Sequence, residues 1–339
     1  MSPNVADVNG TMTIKPPTRT FVAGGAGFIG SHVTRRLLER DGHEVVVFDN
    51  LSSGSESYLA EVRDHERLTF VHADLKDLDA VVAAMEGCEQ MFLFAANPDI
   101  AKAVEEPSID FWQGTFLTNN AIEAARVCGV KRIIYSSGSG VYGDRGTIPV
   151  TEEFGPLNPV STYGASKLGC EAMMSAYAHM FGLHTAVFRF ANVVGPRQTH
   201  GVTYDFVRRL LDDPRHLRIM GDGLQSKSYI HVSDVTDAML TALDWGFEGF
   251  DVFNAGTEDY VTVREIADLC CERLGLDPAE VQYEYTGGAR GWKGDVPVVR
   301  FDTEKLRALG WANRYSSREA LIDSIDHNIV EAGTEVASS

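Results

Sequence analysis

Several things are scarce in this sequence, and each scarcity excludes a class of protein. No run approaches the roughly 18 consecutive apolar residues that a membrane-crossing helix needs. The opening stretch MSPNVADVNGTMTIKPPT is polar and rich in Pro, Asn and Thr. It lacks the apolar core of an export signal, which predicts a flexible extension over residues 1–18 and, by default, a cytoplasmic protein. Cysteine is sparse: Cys88, Cys128, Cys170, Cys270 and Cys271 form an odd set with no CxxC. They read as reduced, structural thiols, and no metal-ligand spacing accompanies them. Basic side chains are outnumbered 30 to 48, a net charge of −18. That balance excludes the basic footprint by which proteins hold nucleic acid or an anionic membrane without regard to sequence. There is no internal repeat and no low-complexity tract.

What is present is an ordinary globular composition, 44% apolar and 23% charged over 339 residues. Short β-branched or aromatic runs (Thr20–Ala23, Glu44–Phe48, Leu68–Val71, Met91–Ala95, Lys131–Tyr135, Thr185–Phe190) alternate with helical patterns. The helices are expected near Ile29–Arg40, Leu78–Met85, Thr118–Val127 and Thr162–Phe181. Near-continuous apolar runs are what parallel strands covered on both faces require. The reading is therefore α/β, a doubly wound parallel sheet of Rossmann type with a smaller C-terminal α/β substrate domain. The nucleotide-binding domain is expected over 19–190 with roughly 229–255, and the substrate domain over 191–228 and 256–332.

Gly24, Gly27 and Gly30 lie in GGAGFIG, after a strand and opening a helix. Glycine lets the backbone approach a pyrophosphate, and the helix start supplies N–H donors. Asp49 ends the next strand nineteen residues after Gly30. A carboxylate there accepts from a ribose 2′-hydroxyl and repels a 2′-phosphate, so the expected cofactor is NAD rather than NADP. Tyr163 and Lys167, in YGASK, are four apart and share a helix face. An ammonium beside a phenol favours the phenolate, which makes an acid–base pair. Upstream, Ser137 or Ser139 in SSGSGVYG offers a hydroxyl to the same substrate oxygen, and the sequence leaves both open.

With these motifs the chain resembles the extended short-chain dehydrogenases/reductases, and among them the UDP-galactose (UDP-glucose) 4-epimerases. The resemblance runs from about Thr20 to Trp311 through GGAGFIGSH, FDNLSSG, FLFAA, SSGSGVYG, YGASK, FRFANVVGPR, GDGLQSKSYIHVSD, FNAG and RGWKGDVP. It implies that Gly24, Gly27, Phe28 and Ile29 line the cofactor pyrophosphate. Asp49, Asn50, Ser53 and Gly54 would hold the adenosine ribose, and Asp74 with Leu75 would flank the adenine. Phe94, Ala95, Ala96 and Phe190 would border the cofactor, with Lys167 on its nicotinamide ribose. Asn192, Arg197, Lys227 and Arg290 would meet the substrate diphosphate, Met220 and Tyr229 its base, and Asp295 its ribose. The resemblance also implies a homodimer built on the two helices Thr118–Val127 and Thr162–Phe181.

The departures are specific. Gly138 stands where related epimerases carry the catalytic Ser or Thr, and Gly114 where an asparagine is usual. Lys227 replaces an arginine, and Trp292 stands where some relatives have another. Ser139 and Gly140 stand where sugar-nucleotide dehydratases have Asp-Glu and decarboxylases have Glu, so those two reactions lack their acid. The expected activity is inversion of C4 of a UDP-sugar through a 4-keto intermediate. A net-redox nucleotide-sugar oxidoreductase that releases NAD, and a catalytically silent NAD sensor, are the alternatives. Between Arg197 and Lys227 the chain is +2 while the remainder is −20, and that basic stretch is expected beside the substrate phosphates.

Overall fold

Valine and aromatic runs build the centre of the molecule. In the computed structural model, which describes residues 18–338, Thr18 already pairs in the first strand. The rest of the expected N-terminal extension lies outside the described residues. The first six strands are β1 (Thr18–Ala23), β2 (His43–Asp49), β3 (Leu68–His72), β4 (Gln90–Leu93), β5 (Arg132–Gly138) and β6 (His184–Phe190). The short β7 (Asn192–Val194), β8 (His216–Ile219), β9 (Ser226–Lys227) and β10 (Tyr229–His231) precede β11 (Phe250–Ala255). A parallel sheet of seven strands has the order β11-β6-β5-β4-β1-β2-β3. The order reverses between β1 and β4, and the loops leaving those strands diverge there to open a crevice.

Successive side chains of each strand feed opposite cores, as the pleat requires. Phe21 and Ala23 join one buried cluster, together with α2 (Leu78–Met85), α3 (Leu117–Cys128) and α4 (Thr162–Phe181). Val22 joins the other, with α1 (Phe28–Leu38), α5 (Val202–Asp212) lying elsewhere and α6 (Val232–Trp245) packing beside α1. Both faces are thus covered, which explains why the strands read as unbroken apolar runs. A third cluster joins α5 to β8, α7 (Val263–Arg273) and Ala320, Leu321 and Ile325, away from the sheet. Two remaining β pairs, β12 (Val261–Thr262) with β9 and β13 (Gln282–Tyr285) with β8, extend that region. The short α8 (Glu304–Arg307) and the long α9 (Ser317–Ser338) complete the chain. All five cysteines are free, and four are buried in these clusters.

Candidate active site

The glycine-rich turn shows why its residue types are needed. Gly24 has a left-handed φ of 76°, and a β-carbon on it would lie 2.9 Å from the Ala95 backbone nitrogen. A β-carbon on Gly30 would lie 2.1 Å from the Gly24 carbonyl, so only glycine lets α1 start this close to β1. Gly27 caps α1 with no side chain in the way, and Phe28 and Ile29 form its half-buried first turn. Asp49, 8% exposed at the end of β2, accepts from the Ala26 N–H through Oδ2 (2.9 Å) and from the Leu51 N–H through Oδ1 (2.8 Å). Each oxygen keeps a lone pair for a ribose hydroxyl, and the fixed negative charge opposes a 2′-phosphate.

The loop after β2 lies against the same turn: Ser55 N–H donates to the Ala26 carbonyl at 3.0 Å, and Gly54 admits the approach. Ser53 is exposed beside it. Asn50 donates to Asp74 at 3.0 Å, joining the ends of β2 and β3. Phe94, Ala95 and Ala96 leave β4 half-buried along the opposite wall, where Phe94 N–H donates to Ala23. This cradle fits a dinucleotide with a free 2′-hydroxyl. Leu75 and Phe190 are both buried, each in one of the two cores.

Tyr163 and Lys167 both sit on α4. Ser161 caps this helix by accepting the Gly164 N–H at 3.0 Å. The Lys167 ammonium is 5.5 Å from the Tyr163 ring centre and 4.8 Å from that of Tyr135, and it donates to the Ser136 carbonyl at 2.7 Å. Lys167 is only 4% exposed. Burial pulls its pKa down to about 8, against the opposing influence of Cys170, Glu171 and Asp110. Burial, with Asp110 and Cys170, likewise pushes the Tyr163 phenol above its ordinary range.

The end of β5 separates the two candidate serines: Ser137 lies within the strand and Ser139 beyond it. Ser137 is 4% exposed, and its hydroxyl donates to Glu171 Oε1 at 2.5 Å. Glu171 is paired with Arg189 at 2.7 Å, and Arg189 also donates to the Tyr142 hydroxyl at 2.9 Å. Ser137 therefore completes a buried ion-pair network. Ser139 opens the single turn Ser139–Val141 past the strand end and stays half-buried. A β-carbon added at Gly138 would meet nothing within 4 Å, so the space that related enzymes fill with a hydroxyl is open.

On the far side Lys227 pairs with Asp295 at 2.7 Å, and Asp295 also accepts the Gly291 N–H at 3.0 Å. Arg290 donates to the Asp295 carbonyl and pairs with Asp144 at 2.7 Å. Met220 is exposed beside Gly291. Asn192 and Tyr229 are in register between β7 and β10, with Tyr229 buried in the third core. Met220, Lys227, Arg290 and Asp295 thus come together.

Arg197 does not join them. Its guanidinium turns to α1, 3.3 Å from the Ser31 hydroxyl and 3.7 Å from Glu61, on a left-handed backbone with φ 69°. The expectation that the basic stretch gathers at the substrate phosphates is corrected with it. Arg208 lies over the Tyr204 ring at 3.7 Å, and Arg209 donates to the Arg218 carbonyl. Of the basic side chains of that stretch, Lys227 is the one that pairs within the cluster among the described residues, since a summed charge carries no direction.

Sequence reasoning missed the polar support of α4. Asp110, 2% exposed, accepts from Thr162 at 2.7 Å and from Asn97 at 3.0 Å, and Ser166 donates to its carbonyl at 2.8 Å. No spacing in the sequence signals that contact. Gly114 belongs to the same junction, because a β-carbon there would lie 2.4 Å from the Ser166 hydroxyl.

Comparison with known proteins agrees with this layout. Residues 20–256 match the model of the NAD dependent epimerase/dehydratase family. The chain belongs to that family, and its cofactor is NAD. It is 34% identical over 315 residues to the UDP-glucose 4-epimerase of Mycolicibacterium smegmatis, covering 91% of this chain and 97% of that one. A crystal structure of a UDP-galactose 4-epimerase superposes with a TM-score of 0.82 at 37% identity, covering 93% of this chain and 99% of that one. The dTDP-glucose 4,6-dehydratase DesIV of Streptomyces venezuelae, solved with NAD and TYD bound, superposes with a TM-score of 0.86 at 30% identity. Coverage there is 94% of this chain and 98% of the other.

Proposed function

We propose that this chain is a nucleotide-sugar 4-epimerase that inverts C4 of a UDP-hexose or UDP-hexuronic acid through a 4-keto intermediate. The observation that carries the reading is the Tyr163–Lys167 pair on α4, facing a strand end with Ser139 but no second acid. An elimination would need that acid; proton removal and return at one oxygen does not. NAD, once bound, supplies the hydride acceptor for C4 and afterwards the hydride donor. Tyr163 takes the proton of the 4-hydroxyl as the carbonyl forms and gives it back after the sugar has presented its other face. Lys167 steadies the phenolate by charge. Ser139 holds the substrate oxygen by a hydrogen bond, a role supported by the engagement of Ser137 with Glu171.

Lys227 and Arg290 meet the substrate diphosphate in exchange for their pairing with Asp295 and Asp144, while Met220 and Asp295 border the uridine. Residues 191–228 and 256–332 supply this nucleotide-sugar side, a reading supported by the third hydrophobic cluster, to which most of their buried apolar residues belong, while Ala191, Phe301, Leu306 and Trp311 pack into the core of the sheet. The reading includes a homodimer. Val127 on α3 and Met180 and Phe181 on α4 are exposed apolar side chains at neighbouring helix ends, with Phe111 and Trp112 close by in sequence to α3.

The test is Tyr163→Phe, which leaves the helix face intact. Turnover measured by NMR of the sugar C4 configuration is expected to fall by about three orders of magnitude or more, as loss of an acid–base group does. Retained turnover would overturn the reading.

A further inference from the structure

The carboxylate of Asp110 has no part in the mechanism above, yet it is buried beside the catalytic pair. It immediately precedes the π-helical turn Phe111–Phe116, and both of its oxygens are engaged by polar side chains. Asn97, on the loop leaving β4, donates to one; Thr162, the residue before Tyr163, donates to the other. The Asp110 carbonyl accepts from Ser166, the residue before Lys167, and the Ser166 hydroxyl lies 2.9 Å from Thr115. Both catalytic residues thus have their preceding neighbour tied to this one residue. Gly114 leaves the space for that contact.

We propose that Asp110 is a positioning residue for the reaction, fixing the first turn of α4 through Thr162 and Ser166 and setting the charge against which Tyr163 works. The inference rests on Tyr163 being the acid–base group. A residue that must both remove and return a proton works best when neither form is strongly preferred. Around Tyr163, Lys167 favours the phenolate, while burial, and after it Asp110 and Cys170, oppose it. Lys167 in turn faces Asp110, Cys170 and Glu171, with the Tyr135 ring and Ser136 carbonyl against its ammonium. Glu171 is matched by Arg189, which leaves Asp110 as a carboxylate near both members of the pair with no ion-pair partner among the described residues. A carboxylate inside a protein acts on neighbouring groups more strongly than one in water does.

The test uses the NAD-loaded enzyme and two substitutions. Asp110→Asn keeps the shape and can still bond Asn97 and Thr162, because the threonine hydroxyl can turn to accept. Asp110→Ala removes the charge and the bonds together. Tyrosine labelled with carbon-13 at Cζ reports the titration directly, with the Tyr163 resonance assigned by its loss in Tyr163→Phe.

In Asp110→Asn the Tyr163 titration, and the matching limb of the kcat pH profile, are expected to move to lower pH by about one unit. In Asp110→Ala kcat is expected to fall about tenfold further than in Asp110→Asn, with KM for the nucleotide sugar little changed, as misplacement of a catalytic group predicts. A folded Asp110→Asn enzyme whose Tyr163 resonance and pH limb stay in place would overturn the proposal. If Asp110→Ala does not fold, the Asp110→Asn titration alone decides. Turnover surviving in Tyr163→Phe would instead sink the epimerase reading, so the two failures are distinguishable.

Discussion

At the scale of single residues, reach decides role. Asp49 and the Tyr163–Lys167 pair were legible in the sequence, because each is fixed by spacing from a strand end or along one helix turn. The two serines were not, because their roles depend on where β5 ends and on the buried partner that Ser137 meets. Ser137 points into the Glu171–Arg189 pair. Replacing it by alanine removes a donor to a buried carboxylate and is expected to destabilise the fold by about 1–3 kcal/mol with kcat nearly unchanged. Ser139→Ala is expected to do the reverse, lowering kcat by about a hundredfold with little change in Tm. Urea unfolding and NMR turnover assays of both variants check this pair of outcomes, and a catalytic loss confined to Ser137→Ala would reverse the assignment. Asp49→Ser removes the acceptor of two backbone N–H groups and the charge that opposes a 2′-phosphate. Calorimetry is expected to show NAD binding weakened by about tenfold or more while the preference for NAD over NADP narrows.

At the scale of elements, the site depends on how α4 docks. The sequence predicted this helix over Thr162–Phe181, and the structure has those bounds. The six sheet strands read from apolar runs are also present, with ends shifted by a few residues. β11 was not read as a strand because FDVFNA mixes polar with apolar side chains, half-buried at its start, as an edge strand permits. The π-helical turn Phe111–Phe116 was illegible for a different reason: it has no periodic signature, and its purpose appears only when α4 is laid against it. Gly114→Ala tests that junction. Its new methyl would lie 2.4 Å from the Ser166 hydroxyl, so either that hydroxyl leaves the Asp110 carbonyl or the two helices move apart. The expected result is a loss of about 1–3 kcal/mol together with reduced kcat. Unchanged stability in denaturant titration would show that the contact is slack.

At the scale of the whole molecule, the second half is tied to the first by polar contacts that a linear reading does not reveal. Arg197 and the Pro196 carbonyl reach back to α1, where His32 bonds that carbonyl at 3.1 Å. Burial, opposed by the bond to Pro196 and aided by the nearby Arg197, His231 and Arg35, lowers the His32 pKa to about 4. The unfolded chain therefore binds the extra proton between about pH 6.5 and 4 while the folded one does not. Stability from this residue is complete above about pH 6.5 and is lost as pH falls towards 4, by about 3 kcal/mol in all. His32→Gln keeps a donor for Pro196 and is expected to flatten that part of the pH dependence in urea unfolding; an unaltered slope would refute the assignment.

The net charge of −18 excluded a polyanionic partner, but it did not locate the cations of the site, which the fold selects one at a time. The central claim concerns the reaction. Purified protein carrying its own cofactor should be incubated with a panel of UDP-sugars without added NAD, and C4 followed by NMR. Catalytic inversion of one of these sugars, with no net oxidation, is the expected result. A requirement for stoichiometric NAD, with an oxidised sugar accumulating, would contradict it.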